Sequence, residues 1–184
     1  MGHDVVMTPG NYMYFDFYQA DPKTQPYAIG GYTPIKKVYS YNPIPVDSLT
    51  AEESKHIMGV QANTWTEYIP NEQHLEYMMF PRALALAEIA WSPQEKREWN
   101  DFKPRMNAHI SKLQQMGINT FTLSDELEVT MKVDTVSKQI EVYLDAEKYP
   151  AEIRYTTDGT VPTASSTVYD GMIQVKDSAY IKAA

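Results

Sequence analysis

The sequence predicts an α/β domain followed by a small antiparallel β module. Two short apolar segments, at residues 4–9 and 56–65, precede helical patterns that continue to residue 120. This order of strands and helices is typical of α/β proteins with parallel strands. From about residue 125 polar and apolar residues alternate, with Asp-Gly turn signals between the runs. We therefore predict a first domain over residues 1–122 and a β module over 123–184.

Helical signals occupy the segment between the second strand and residue 120. Asn71 is a suitable N-cap, and Pro81 should kink or interrupt the helix that follows it. Ser92-Pro93-Gln94-Glu95 has the form of a capping box with proline at the first helical position, which predicts a new helix there. We expect that helix to end at Gly117. Its apolar positions recur at helical spacing: Phe102, Met106, Ile110 and Leu113.

The stretch over residues 20–50 is rich in proline, tyrosine and glycine, and it predicts a long irregular loop. Loops of this length inside compact domains are usually functional or disordered. Arg82 and Glu88 follow on the next helix, where we expect a structural ion pair.

Composition excludes several classes of function. The net charge is −8 with no basic run, which argues against a nucleic-acid partner. The chain has no cysteine, so it forms no disulfide and no thiolate metal site. It has no apolar run long enough for a transmembrane helix, and its first residues do not resemble a signal peptide. The four histidines are scattered, so we expect no metal site.

Trp65 and Glu67 stand two residues apart in NTWTEY, at the end of the second predicted strand. Side chains at this spacing point to the same face of a strand, which sets an apolar ring beside a carboxylate. A pyranose sugar offers a matching apolar face and a rim of hydroxyls. A core tryptophan beside a solvent-facing glutamate is the commoner alternative.

Tyr14 and Asp16 repeat the aromatic-x-acid spacing after the first predicted strand. Ligands of parallel α/β folds bind at the carboxyl ends of the strands. The repeat therefore predicts one joint site, and the alternative is two unrelated strand ends that carry solvated acids.

One continuous run carries a family resemblance: GVQANTWTEYIPNEQHLEYMMFPRALALAEIAWS, residues 59–92. Its G-x-Q, W-x-E, Glu-Tyr, F-P-R and A-x-A-E-x-x-W motifs resemble the last barrel strand and following helix of glycoside hydrolase family 20, the β-N-acetylhexosaminidases. VVMTPGNYMYFDFYQ resembles the preceding strand, and IRYTTDGTVPTASSTVYDG resembles the C-terminal β domain of these enzymes. The resemblance implies the last two βα units of a (β/α)8 TIM-like barrel, followed by the β module.

The same resemblance implies a role for each candidate residue. Trp65 would line the N-acetyl pocket, and Glu67 and Asp16 would bind hydroxyls at the sugar rim. Tyr14 would hydrogen-bond the acetamide oxygen as it attacks the anomeric carbon, in a retaining, substrate-assisted hydrolysis. No metal or organic cofactor is implied.

The family's catalytic Asp-Glu pair has no counterpart on a strand here, since Asp125-Glu126 follows the last predicted helix. We therefore expect the chain alone to be an inactive fragment. The resemblance implies that the parent enzyme acts on N-acetylhexosamine glycans and is periplasmic or extracellular. Two barrel strands alone leave an open edge, which predicts self-association or poor stability of residues 1–70. The alternative is a non-catalytic carbohydrate-binding or scaffold protein.

Overall fold

A computed structural model describes residues 2–45, 47–136, 139–175 and 178–184. The chain forms two compact units, Met1–Thr122 and Leu123–Ala184. No helix in the described ranges is long and apolar enough to cross a membrane.

The first unit contains a two-stranded parallel sheet. Strand β1 (Val5–Met7) pairs with β2 (Ile57–Val60) in parallel register, and the N–H of Gln61 extends the pairing by donating to the carbonyl of Met7 at 2.9 Å. Both strands were predicted, but the prediction that they are buried is wrong. Val6 is 47% exposed and Met58 is 66% exposed, because a sheet of two strands has little of this chain to cover it.

Three short helices lie between β1 and β2 along the chain: α1 (Gly10–Met13), α2 (Ile35–Ser40) and α3 (Ala51–Ser54). Helix α2 lies inside the stretch predicted to be irregular, so that prediction is wrong for residues 35–40. Ile35, Val38 and Tyr39 occupy one face of α2 and are buried, which stabilises a helix too short to form alone.

Helices α4 (Glu72–Met79) and α5 (Arg82–Trp91) are separated at Pro81, as predicted. The predicted N-cap is also confirmed, because the Asn71 side chain accepts a hydrogen bond from the N–H of His74 at 2.9 Å. Helix α5 packs against both α2 and β2, so it joins the sheet to the rest of the unit.

The predicted helix start at Ser92 is wrong. The N–H of Ser92 donates to the carbonyl of Glu88, so Ser92 ends α5 rather than capping a new helix. A 3₁₀ turn follows over Gln94–Lys96, and helix α6 runs from Trp99 to Gln115. Three of its four predicted apolar positions, Phe102, Met106 and Ile110, are buried and Leu113 is half-buried. Gly117 ends the helix as predicted, with a positive φ of 84°.

Helices α5 and α6 are joined by an ion pair. Both terminal nitrogens of Arg105 donate to the carboxylate of Glu88, at 2.9 and 2.8 Å. The predicted pair between Arg82 and Glu88 is therefore wrong. Six residues turn an α-helix by about 240° beyond a full turn, so those two side chains leave α5 in different directions.

The second unit consists of two small antiparallel sheets. One has the order β3 (Leu127–Asp134), β4 (Gln139–Ala146), β7 (Ile173–Val175), and the other β6 (Thr167–Val168), β5 (Arg154–Thr156), β8 (Lys182–Ala183). Their core is Val142, Leu144, Ala146, Ile153 and Ile173. The predicted period-two segments contain every strand except β6. The last of these segments, residues 172–183, was predicted as one strand but contains both β7 and β8, which belong to different sheets. The predicted strand segments include Lys138, Lys176 and Asp177, which lie outside the described residues.

Candidate functional site

The segments that follow β1 and β2 are brought side by side by backbone hydrogen bonds. After α1 the chain returns to the sheet, where the N–H of Asn63 donates to the carbonyl of Met13 at 2.8 Å. The N–H of Phe15 donates back to the carbonyl of Asn63 at 2.7 Å, which places Tyr14 opposite Asn63 in parallel register. Because the two segments are aligned here, the aromatic-x-acid sequences that follow each strand lie next to each other.

The four predicted site residues lie together at this edge of the sheet. The rings of Tyr14 and Trp65 meet edge to face, with centroids 6.4 Å apart and planes at 64°. Asp16, Trp65 and Glu67 line one narrow recess without room for a water molecule, closed by Tyr27, Ala28, Ile29, Tyr68, Ile69 and Met78. The indole of Trp65 is 52% exposed, so one aromatic surface of the site is open to a ligand.

Asp16 is the buried acid of the site. Its side chain is 5% exposed, and its Oδ1 atom has no hydrogen-bond partner among the described residues. Burial raises the pKa of Asp16, while the backbone N–H groups of Asp16 and Trp65 and the charge of Arg82 oppose that rise. The negative charge of the Glu67 carboxylate also raises the pKa of Asp16. A carboxylate oxygen that is both buried and unpartnered is uncommon, which marks Asp16 as a candidate functional residue.

We expect Asp16→Asn to raise the free energy of unfolding at pH 7, on the order of 1 kcal/mol. A carboxyl with a raised pKa favours the folded state below its unfolded pKa and loses that contribution as the pH rises through its folded pKa. The amide removes this cost, so the gain should shrink toward acidic pH. Urea denaturation of both proteins between acidic and neutral pH measures it. A destabilised Asp16→Asn variant at neutral pH would contradict this account.

Arg82 is the site's buried cation, and sequence reasoning missed its place. The residue is completely buried at the start of α5, and its guanidinium lies 4.9 Å from the centre of the Phe15 ring. It donates to the carbonyls of Phe17 at 2.9 Å and Thr33 at 3.0 Å, and also to those of Phe15 and Met78. The only sequence signal was the F-P-R motif itself.

The segment over residues 25–33 closes the recess and is anchored to the residues after Asp16. The N–H of Thr33 donates to the carbonyl of Tyr18 at 2.8 Å, and the hydroxyl of Tyr18 accepts from the N–H of Ala28 at 3.1 Å. Gly31 has a φ of 65° and lies against the ring of Phe17. The recess is therefore held from the side of the predicted irregular stretch, which sequence reasoning did not assign to it.

The sequence model of "Glycosyl hydrolase family 20, catalytic domain" matches residues 1–94, and that of "Chitobiase/beta-hexosaminidase C-terminal domain" matches residues 131–184. A beta-hexosaminidase of Porphyromonas gingivalis is 35% identical over 99% of this chain. The chain belongs to glycosyl hydrolase family 20. It spans 23% of the length of the Porphyromonas relative, and 13% of an N,N'-diacetylchitobiase of Vibrio harveyi that is 32% identical over 55% of the chain.

Solved structures of family 20 resemble the chain in fold. The β-N-acetylhexosaminidase of Streptomyces coelicolor A3(2) aligns with a TM-score of 0.59 and 25% identity, covering 67% of this chain and 25% of its own. The exo β-N-acetylglucosaminidase of Vibrio harveyi, solved with N-acetylglucosamine, aligns with a TM-score of 0.57 and 32% identity, covering 66% and 19%. The family 20 assignment and the C-terminal β domain are thus confirmed together with the TIM-barrel class of the first unit.

Two further observations concern the Asp125-Glu126 pair and possible metal ligands in this family 20 chain. Asp125 belongs to the second unit and pairs with Lys148, with 84% of its side chain exposed, so it does not line the recess. Within the described ranges, no three histidine, aspartate or glutamate side chains converge as a metal site would require.

Proposed function

We propose that residues 1–122 are the last two βα units of a β-N-acetylhexosaminidase barrel and form one wall of its sugar site. The observation that carries this proposal is the recess in which Asp16, Trp65 and Glu67 meet beside the ring of Tyr14. An exposed indole beside two carboxylates suits the apolar face and the hydroxyl rim of a pyranose. The order of the two family matches along the chain supports the same placement.

In this proposal the wall binds and orients the terminal N-acetylhexosamine. The indole of Trp65 packs on the sugar and lines the N-acetyl pocket. The exposed carboxylate of Glu67 accepts hydrogen bonds from hydroxyls 4 and 6. The buried oxygen of Asp16 binds the same rim once the ligand displaces the side chains that cover it. The recess itself is too narrow for a sugar, so the ligand lies on its open side against Trp65.

Tyr14 acts on the reacting group. Its hydroxyl donates a hydrogen bond to the acetamide oxygen while that oxygen attacks the anomeric carbon and the glycosidic bond breaks. Charge moves onto the acetamide in the resulting oxazolinium ion, and an oriented polar group beside it lowers the barrier. Water then opens the ion, so the product keeps the configuration of the substrate. The proton for the leaving oxygen comes from an acid outside this chain.

The test is hydrolysis by the complete gene product that contains this chain. We expect it to hydrolyse 4-nitrophenyl N-acetyl-β-D-glucosaminide and to release the β anomer first, as observed by proton NMR. The 184-residue chain alone should show no hydrolysis, because it lacks the acid. A complete gene product that binds N-acetylglucosamine without hydrolysing glycosides would overturn the proposal in favour of a binding protein.

We also propose that the complete gene product acts outside the cytoplasm, which cell fractionation of the source organism can test.

A further inference from the structure

We propose that Arg82 is a positioning residue that orients the Asp16 carboxylate toward the sugar hydroxyls. This inference rests on the proposed function of Asp16 as a hydroxyl-binding group. It concerns a residue that is completely buried, so Arg82 acts through its neighbours rather than by touching the sugar.

The first argument is the backbone that Arg82 holds. Its two terminal nitrogens donate to the carbonyls of Phe15 and Phe17, the residues on either side of Asp16. The same guanidinium donates to the carbonyl of Thr33, at the end of the segment that closes the recess. A planar group with five N–H donors can fix several carbonyls at once, which a lysine ammonium cannot do in the same geometry. Arg82 thereby fixes the backbone from which the Asp16 side chain projects.

The second argument is charge. The hydrogen bonds described for Arg82 end on neutral backbone carbonyls, so its positive charge is left to act on nearby groups. Burial lowers the pKa of Arg82 to about 9, which still leaves it protonated at pH 7, and Asp16 is the acid that most opposes that shift. Glu67 acts on Asp16 with the opposite sign, and Tyr27 and Tyr68 complete the titratable lining of the recess. Arg82 is the cation among these groups that favours ionised Asp16.

A purely structural role would make different predictions. If Arg82 only joins α5 to the strand ends, its replacement lowers stability and activity at all pH values and regardless of residue 16. If Arg82 instead orients Asp16 and its charge favours the ionised carboxylate, replacing Arg82 should weaken substrate binding in a pH-dependent way. That loss should disappear when residue 16 has no carboxylate. These two outcomes are separable by kinetics.

The experiment compares Arg82→Lys with the unsubstituted complete gene product on 4-nitrophenyl N-acetyl-β-D-glucosaminide. We expect KM to rise about tenfold with a smaller change in kcat, because lysine keeps the charge but not the hydrogen bonds. Arg82→Gln also removes the charge, so it should in addition move the acidic limb of kcat/KM to higher pH. In an Asp16→Asn background, Arg82→Lys should add less than about twofold. Arg97→Lys is the control, because Arg97 also donates to a backbone carbonyl, but to that of Tyr41 rather than to those on either side of Asp16. An equal loss in both backgrounds, with an unshifted pH profile, would overturn the positioning role.

A second measurement needs no substitution of Arg82. In the 184-residue chain, nitrogen NMR of the Arg82 side chain should follow the titration of Asp16, and Asp16→Asn should abolish that titration. An Arg82 signal that is indifferent to Asp16 would overturn the proposal even if Arg82→Lys failed to fold. If the unsubstituted gene product lacks hydrolytic activity while the NMR coupling is present, the proposed function fails but the coupling of Arg82 to Asp16 stands.

Discussion

Trp65→Ala is expected to lower kcat/KM of the complete gene product on the order of 100-fold or more, since losing a tryptophan contact costs about 3 kcal/mol. The substitution removes the exposed aromatic surface on which the sugar would rest. It also removes the ring that meets Tyr14 edge to face, so the phenol loses its lateral support. We therefore expect kcat to fall along with a rise in KM, which steady-state kinetics separates.

Two control variants define the origin of this loss. Trp65→Phe keeps an aromatic face and should recover part of the activity. Tyr180→Ala removes a tyrosine side chain that is 82% exposed in the second unit, and it should leave activity unchanged. Activity of Trp65→Ala within about threefold of the unsubstituted enzyme would contradict the assignment of Trp65 to the sugar site.

The candidate site could be predicted from sequence to the extent that it depends on strand periodicity. Tyr14 with Asp16 and Trp65 with Glu67 have a period-two spacing, but β1 ends at Met7 and β2 at Val60, so the prediction that they lie at strand ends is wrong. The parallel alignment of the segments beyond the strands brings the four residues to one edge. The structure brings these four residues together, whereas the roles assigned to them stay predictions. The resemblance to the family added the chemistry, which no spacing rule supplies.

Arg82 could not be placed from sequence, because its partners leave no side-chain pattern. It binds carbonyls of residues 15, 17 and 33, between 49 and 67 positions away along the chain. Any residue provides such an acceptor, so the sequence offers no partner to search for. A spacing rule instead favoured Glu88, which pairs with Arg105 of α6.

Local signals failed where a residue had two possible uses. Ser92 fits a capping box, but its N–H completes the last turn of α5 and leaves it as the end of that helix. Helix α2 was not predicted because prolines and tyrosines surround it in the sequence. A helix this short is stabilised by the burial of its apolar face, which local sequence does not show. The first error reflects a choice between two local hydrogen-bonding patterns, and the second shows tertiary packing deciding local structure.

The largest effect on stability is expected from Gly31→Ala, at about 2–4 kcal/mol of lost unfolding free energy. Gly31 has a φ of 65°, a conformation that costs an alanine about 1 kcal/mol. A Cβ at this position would also overlap the ring of Phe17, 2.5 Å from its Cγ atom. That ring packs edge to face with Tyr14 at 5.6 Å, so relief of the overlap disturbs the recess as well.

Gly117→Ala is the matched control, because Gly117 also has a positive φ, of 84°, but has open space around it. Apart from its own neighbours in the chain, no described atom would lie within 4 Å of a Cβ added there. The substitution should cost only the conformational part, about 1 kcal/mol. Urea denaturation followed by tryptophan fluorescence measures both variants, since Trp65, Trp91 and Trp99 all belong to the first unit. Equal losses for the two variants would mean that the Phe17 ring moves freely. In that case the segment over residues 25–33 would not hold the residues around Asp16 in place.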